Sequence, residues 1–254
     1  MHKYLKGGTA LEDGVADLII RVLSVEQQGP DRRWIILAVF AVIAAGIVAA
    51  VLISNGGGGS SDSSSTSAGA EAGACRKVEA PEPKTVSFKQ PKQVLKPGEE
   101  ATAVVKTSCG TFEIALDTKR APKTANSFAF LAEEGFYDDL TFHRIVPEFV
   151  IQGGDPEGTG TGGPGYKVVE KPPANLAYTK GVVAMAKSSA EPPGTSGSQF
   201  YVVTGPDAGL PPEYALVGKV SKGMSTVERI GKLGTPEEKP KQTVLIEDVT
   251  IEHG

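Results

Sequence analysis

Phe142-His143-Arg144-Ile145-Val146-Pro147-Glu148-Phe149-Val150-Ile151-Gln152-Gly153-Gly154-Asp155 is the stretch on which the fold turns. Pro147 divides it into two short strands. Alternation along the first puts Phe142, Arg144 and Val146 on one face and His143 and Ile145 on the other. Beyond the break, Val150 and Gln152 share a face. A lone guanidinium, an aromatic (Phe149) and an amide (Gln152) beside aliphatic side chains suit a ligand that is mostly apolar but carries a carbonyl.

Outward from this stretch the chain has the punctuation of a compact β domain. Thr102 to Thr107 and Thr111 to Asp117 alternate and are split at Cys109-Gly110, a hairpin signal. Pro122 opens a helical run, with Ala125, Phe128, Ala129, Leu131 and Ala132 as its apolar face and Gly135 as its stop. Short strands are expected near 140–146, 149–153, 166–169, 182–186, 200–204, 214–220 and 243–251, with a second helix over about 224–232. The expected class is mainly β: a closed antiparallel barrel of eight or so strands, with two helices.

The first hundred of the 254 residues differ in composition. Residues 1–33 carry mixed charge, with Leu11, Val15, Leu18, Ile19 and Val22 at helical spacing, and read as a cytoplasmic N-terminal segment. Residues 34–53 hold neither charge nor proline. As a helix they would span roughly 30 Å, the thickness of a bilayer core. A buried core helix should show a polar stripe, and a cleaved signal peptide should have a shorter apolar core and a small-residue cleavage site. A retained transmembrane helix is the expectation. Arg32 and Arg33 precede it and no Lys or Arg follows until Arg76, so the N-terminus is placed in the cytoplasm and the C-terminal domain outside. Residues 54–74 are Gly/Ser/Ala-rich, a flexible linker whose span is on the order of 25 Å. Residues 75–100 read as an extended arm packed on the barrel, and 101–254 as the functional domain. Net charge is only −4 and the C-terminal part has no basic cluster, which argues against nucleic acid as a partner.

Cys75 and Cys109 are the two cysteines, too few for a zinc site. In an exported domain they would pair and tie the arm to the barrel; two free thiols are the alternative. No metal cluster and no cofactor motif is visible. Gly158-Thr159-Gly160-Thr161-Gly162-Gly163 fits a phosphate-cradling GxGxxG pattern, but no helix follows, so it reads as a loop. His143 has no partner nucleophile and reads as structural, and Asp138-Asp139 reads as a turn.

The run FHRIVPEFVIQGGD resembles the signature of the cyclophilins, peptidyl-prolyl cis-trans isomerases. Three further blocks agree in order: Gly160-Thr161-Gly162-Gly163, Gly197-Ser198-Gln199-Phe200-Tyr201 and Leu216-Val217-Gly218-Lys219-Val220. The similarity covers roughly residues 101–252 and implies an eight-stranded barrel with a helix at each end. It also implies catalysis of Xaa-Pro amide rotation, with Arg144, Phe149 and Gln152 as catalytic residues. Substrate-binding positions carry over to Val150, Gly160, Ala186, Lys187, Ser188, Gln199, Tyr201, Leu210 and Tyr214. The family often has Asn at Lys187, Met at Val150, Phe at Tyr201, Trp at Gly209 and His at Tyr214, so the groove is altered more than the chemistry. The resulting expectation is a bacterial-type, membrane-anchored, monomeric isomerase without cofactor. It would act on proline-containing peptides and unfolded exported proteins at the extracytoplasmic face and assist their folding. A non-catalytic proline-peptide binding module or chaperone using the same groove is the alternative.

Overall fold

A computed structural model describes residues 74–254. Eleven strands and two helices follow one another along the described chain: β1 (Ala101–Thr107), β2 (Gly110–Leu116), α1 (Pro122–Glu133), β3 (Leu140–Thr141), β4 (Arg144–Val146), β5 (Val150–Gly153), β6 (Val168–Val169), β7 (Val182–Met185), β8 (Thr195–Ser196), β9 (Phe200–Val203), β10 (Leu216–Lys222), α2 (Met224–Gly231) and β11 (Leu245–His253). The anchor expected at 34–53 lies outside the described residues, as do residues 1–33 and nearly all of the linker. Among the described residues no helix is long and apolar enough to cross a membrane.

Nine strands form one curled antiparallel sheet in the order β3-β11-β1-β2-β10-β7-β9-β5-β4, and β6 pairs with β8 separately. The expected closed, eight-stranded barrel is therefore corrected to a curled half-barrel of nine strands, whose end strands β3 and β4 do not pair. The cause lies in the decisive stretch: what reads as one strand over 140–146 breaks at Phe142-His143. Its first half pairs with β11 and its second with β5, so the two ends of the sheet are joined by two residues of chain. The break also corrects the alternation. Phe142 points into the core, with its ring 6.5 Å from that of Phe112 and 6.0 Å from that of Phe200, and does not share a face with Arg144.

Two apolar clusters sit on opposite faces of the sheet. Along β9, Phe200 and Val202 enter the main core while Tyr201 and Val203 join a second cluster; along β7, Val183 and Met185 face one way and Val182 and Ala184 the other. Period-2 geometry makes this division. Because both faces are covered, VVAM and FYVV read as unbroken apolar runs instead of alternating ones.

Helix α1 begins at Pro122, whose fixed φ and missing N–H suit the first turn. It ends where the Phe136 and Gly135 N–H groups donate to the Leu131 and Ala132 carbonyls, a Schellman stop. Its burial is wider than the expected apolar face and includes Asn126, Ser127 and Phe130. The arm covers that side: Phe88 meets Phe130 edge-on at 5.3 Å, and Asn126 holds the backbone of Lys92, Val94 and Leu95. The structure joins Cys75 to Cys109 at the β1–β2 hairpin.

The β4–β5 hairpin turns through Val146-Pro147-Glu148-Phe149, with the Phe149 N–H donating to the Val146 carbonyl at 3.1 Å. Pro147 suits the second position of a type II turn, whereas Glu148 occupies the third at φ 56°, a left-handed conformation that favours glycine. Glu148→Gly is expected to stabilise the domain by about 0.5–1 kcal/mol net of the unfolded-state entropy that glycine adds. For a domain of this size that is a rise of about 1–4 °C in Tm, measurable by calorimetry.

Candidate active site

Strand register builds the site. Arg144 stands opposite Gln152, Gln152 opposite Tyr201, Tyr201 opposite Ala184, and Ala184 opposite Leu216. These five residues make one row across five strands, each step about 4.8 Å. The next row on the same face is Val146, Val150 and Val203. Polar and charged groups thus occupy one end of an apolar surface. Phe149, Ala186, Ala208, Leu210 and Tyr214 pack onto that surface and complete a half-buried apolar patch.

The guanidinium of Arg144 is held from two sides. Its Nε donates to Glu238 Oε2 at 2.7 Å and its Nη1 to Gln152 Oε1 at 3.3 Å. Gln152 Nε2 donates to Gln199 Oε1 at 3.0 Å, and Gln199 Nε2 to the Gly162 carbonyl at 2.9 Å. A continuous chain of hydrogen bonds therefore runs from Glu238 through Arg144 to the 156–164 loop. Both ends of the ion pair are partly shielded, with side-chain exposures of 23% and 32%. The fork is fixed by one charge-assisted bond and one amide, which leaves Nη donors free to face a ligand.

Three tyrosines form the far wall. The rings of Tyr201 and Tyr214 meet edge-on at 5.7 Å, as do those of Tyr178 and Tyr214 at 5.9 Å. The Tyr178 hydroxyl accepts from the Tyr214 N–H and donates to the Tyr214 carbonyl, clamping that backbone. Burial pushes the Tyr178 phenol up to about 12 and the Tyr201 phenol far above its usual value. Burial, aided by Glu213, also raises Tyr214. All three stay protonated and serve as neutral walls.

Lys187 departs from what a groove lysine would ordinarily do. Its side chain is only 4% exposed, its ammonium lies 5.4 Å from the Tyr214 ring centre, and it donates to the carbonyls of Ser188 and Glu191. It is spent on internal contacts that fix the rim. Ser188 is exposed, and its N–H donates to Glu191 Oε2. Gly160 is exposed on the same loop as Gly162, with its N–H on the buried Asp155 carboxylate. Of the residues expected from the sequence, Arg144, Phe149, Val150, Gln152, Ala186, Gln199, Tyr201, Leu210 and Tyr214 are gathered by direct bonds or shared packing. Gly160, Lys187 and Ser188 form the rim. Glu238 and Tyr178 are additions that the sequence reading missed. Glu238→Gln keeps the shape but removes the charge, and should lower kcat/KM about three- to tenfold, the loss of one charge-assisted bond in a half-exposed setting. Steady-state rates on a folded variant check this.

His143 lies partly buried beside this row, and neither of its ring nitrogens has a hydrogen-bond partner. Burial holds its pKa below the ordinary value, against the pull of Asp155. Depression of an imidazole pKa means that folding is penalised once the unfolded chain can bind the proton. Stability is full above the unfolded pKa of about 6.5 and is lost as pH falls from there towards the folded value. His143→Gln should remove that component, read as a smaller stability difference between pH 7.5 and pH 5.5 in chemical denaturation. Among the described residues no cluster of three or more His, Cys, Asp or Glu could hold a metal ion.

A curled antiparallel half-barrel thus carries an anchored arginine at the edge of an outward apolar groove. Residues 102–251 match the family of cyclophilin type peptidyl-prolyl cis-trans isomerases, and the chain belongs to that family. It is 42% identical over 147 residues to peptidyl-prolyl cis-trans isomerase-like 1 of Neurospora crassa, covering 56% of this chain and 88% of that protein. It is 40% identical over 139 residues to the peptidyl-prolyl cis-trans isomerase ppi1 of Schizosaccharomyces pombe, covering 53% and 88%. Among solved structures, a cyclophilin type isomerase of Cryptosporidium parvum, determined in the presence of the dipeptide Ala-Pro, is similar with TM-score 0.54 and 30% identity over 60% of this chain and 99% of that one. The chain is thus a cyclophilin-type peptidyl-prolyl cis-trans isomerase. These relatives are eukaryotic, and the bacterial type expected from the sequence gains no support from them.

Proposed function

We propose that this isomerase rotates Xaa-Pro amides in exported proteins at the outer face of a membrane, and that Arg144 is the group that stabilises the twisted amide. The observation that carries the chemistry is the guanidinium fixed by Glu238 and Gln152 at the edge of the Phe149–Val150–Tyr201–Leu210 surface.

Rotation about a prolyl amide is slow because its C–N bond has partial double-bond character. It needs no nucleophile and no proton relay, only a site that favours the twisted amide over both planar isomers. Twisting removes resonance, so the nitrogen becomes pyramidal and basic and the carbonyl loses part of its dipole. A permanently charged donor at that nitrogen stabilises this form selectively. A gain of about five decades needs close to 7 kcal/mol. One charge-assisted hydrogen bond supplies about 1.5–3 kcal/mol, so the remainder falls to positioning and exclusion of water. The apolar patch provides both: it encloses the pyrrolidine ring, while Gln152 orients the guanidinium and can face the substrate carbonyl. The Ala-Pro dipeptide used with the Cryptosporidium relative is consistent with a ligand of this kind.

The apolar run at 34–53, with Arg32 and Arg33 before it, supports the membrane location and the orientation. Exchange NMR on an Ala-Pro peptide tests the chemistry. Catalysed cis-trans exchange is expected, whereas binding without exchange would favour a holdase. Protease protection in sealed vesicles tests the orientation: the isomerase domain should be cleaved only from the outer side.

A further inference from the structure

The arm preceding the barrel is bound at places that matter to the site. Its start is joined by the Cys75–Cys109 bridge, and the Arg76 N–H donates to the Ser108 carbonyl at 2.7 Å. Further along, the Lys84 N–H donates to the Pro156 carbonyl and the Phe88 N–H to the Pro164 carbonyl, each at 2.8 Å. Pro156 and Pro164 are the two feet of the loop that carries Gly162. The contact is close: a Cβ on Gly165, at φ 86°, would lie 2.1 Å from Ser87 Oγ. Phe88 itself is wedged against Phe130 and Phe136, at 5.3 and 6.3 Å between ring centres. Lys84 Nζ adds a bond to the Asp138 carbonyl. On the loop's inner side the buried Asp155 carboxylate takes the N–H groups of Glu157 and Gly160. The Gly162 carbonyl so placed takes Gln199 Nε2, and Gln199 orients Gln152, which orients Arg144.

We propose that the arm is a strap that positions the active site. Phe88 and Lys84 hold the feet of the 156–164 loop, the loop's Gly162 carbonyl aligns Gln199, Gln152 and Arg144, and the Cys75–Cys109 bridge makes this hold sensitive to dithiol reductants. Phe88 is then a positioning residue, since it reaches the substrate only through the loop and three side chains. The redox step is thiol–disulfide exchange: a dithiol reduces the bridge to two Cys thiols and is itself oxidised to a disulfide. Freed at its first anchor, the arm keeps its backbone hydrogen bonds to the loop feet but loses the closure that restrained it. The inference rests on the reading of Arg144 given above.

The test uses the full chain in detergent as three samples: oxidised, reduced with dithiothreitol, and Phe88→Ala. Amide exchange of Gly158 and Gly160, whose N–H groups are bonded to Asp155, is measured together with kcat and KM on an Ala-Pro peptide. Faster exchange of these amides is expected in both altered samples, with kcat lower by about three- to tenfold and KM within about twofold, because misalignment of Arg144 acts on the twisted amide more than on the planar one. Phe88→Tyr should restore both readings. Should Phe88→Ala fail to fold, the reduced natural chain still decides. Unchanged exchange of the loop amides on reduction would show that the bridge does not restrain the loop. Faster exchange with unchanged kcat would show that the loop does not align the site. Either result overturns the proposal. Arg144→Ala run alongside separates the two readings: if it too leaves kcat unchanged, the role of Arg144 fails and the strap's route with it; if it alone lowers kcat, only the strap fails.

Discussion

Arg144→Ala lowers kcat/KM for Xaa-Pro isomerisation at least about tenfold, or about 1.4 kcal/mol, while the domain stays folded. The lower bound follows from removing one charge-assisted hydrogen bond that forms to the twisted amide, worth about 1.5–3 kcal/mol. The fold should survive because Arg144 lies on the outer row and its ion pair is half-exposed, so its loss costs little stability. Ile145, which enters the core, keeps its N–H on the Glu238 carbonyl whatever side chain sits at position 144. Steady-state rates with circular dichroism on the same sample check both halves. An unchanged rate with unchanged dichroism contradicts the role.

Cyclosporin, the cyclic peptide that cyclophilins commonly bind, should inhibit this isomerase only weakly. The family resemblance places a tryptophan, whose indole face and N–H meet that ligand, at the position of Gly209. Here Gly209 is exposed at φ 62°, its N–H donates to Asp207 Oδ1 at 2.9 Å, and nothing lies within 4 Å of where its Cβ would be. A buried aromatic of that size involves about 150–250 Å². Forgoing part of it at about 25 cal/mol per Å² removes on the order of 1–3 kcal/mol, or about one to two decades of affinity. Peptide turnover suffers less, because Phe149, Val150, Tyr201 and Leu210 still share one apolar surface. Space alone would let Gly209→Trp restore inhibition, but its left-handed backbone costs an L-residue about 1–2 kcal/mol, so the recovery should be partial. Inhibitor titration of both proteins decides this. Tight inhibition of the natural chain would show that another side chain fills the gap.

The site was legible where residue type and local spacing carry the meaning. Arg144, Phe149 and Gln152 lie within nine residues, and a proline-broken pair of strands places a cation opposite an amide without help from the rest of the chain. Helix α1 was legible for the same reason, from Pro122 to the Gly135 stop. What escaped was non-local. Glu238, 94 residues beyond Arg144, lies in a charged Pro-rich loop that resembles any solvated turn. Tyr178 is found only through the fold, which brings its hydroxyl to the Tyr214 backbone. Phe142 was placed on the wrong face because alternation assumes an unbroken strand, and the sheet's two ends meet where that strand breaks. A usable signal did exist for the outer groove. VVAM and FYVV are apolar at every position, which an ordinary barrel strand facing water is not.

The proposed driver of the rotation is the anchored guanidinium, and not enclosure of the proline ring alone. Exchange NMR on a saturated Ala-Pro peptide with Arg144→Lys tests it most directly, since lysine keeps the charge but lacks the planar fork that joins Glu238 and Gln152. Peptide affinity is expected within about twofold of the natural chain, with an on-enzyme cis-trans exchange rate at least about tenfold lower. An exchange rate equal to that of the natural chain at equal occupancy would contradict it.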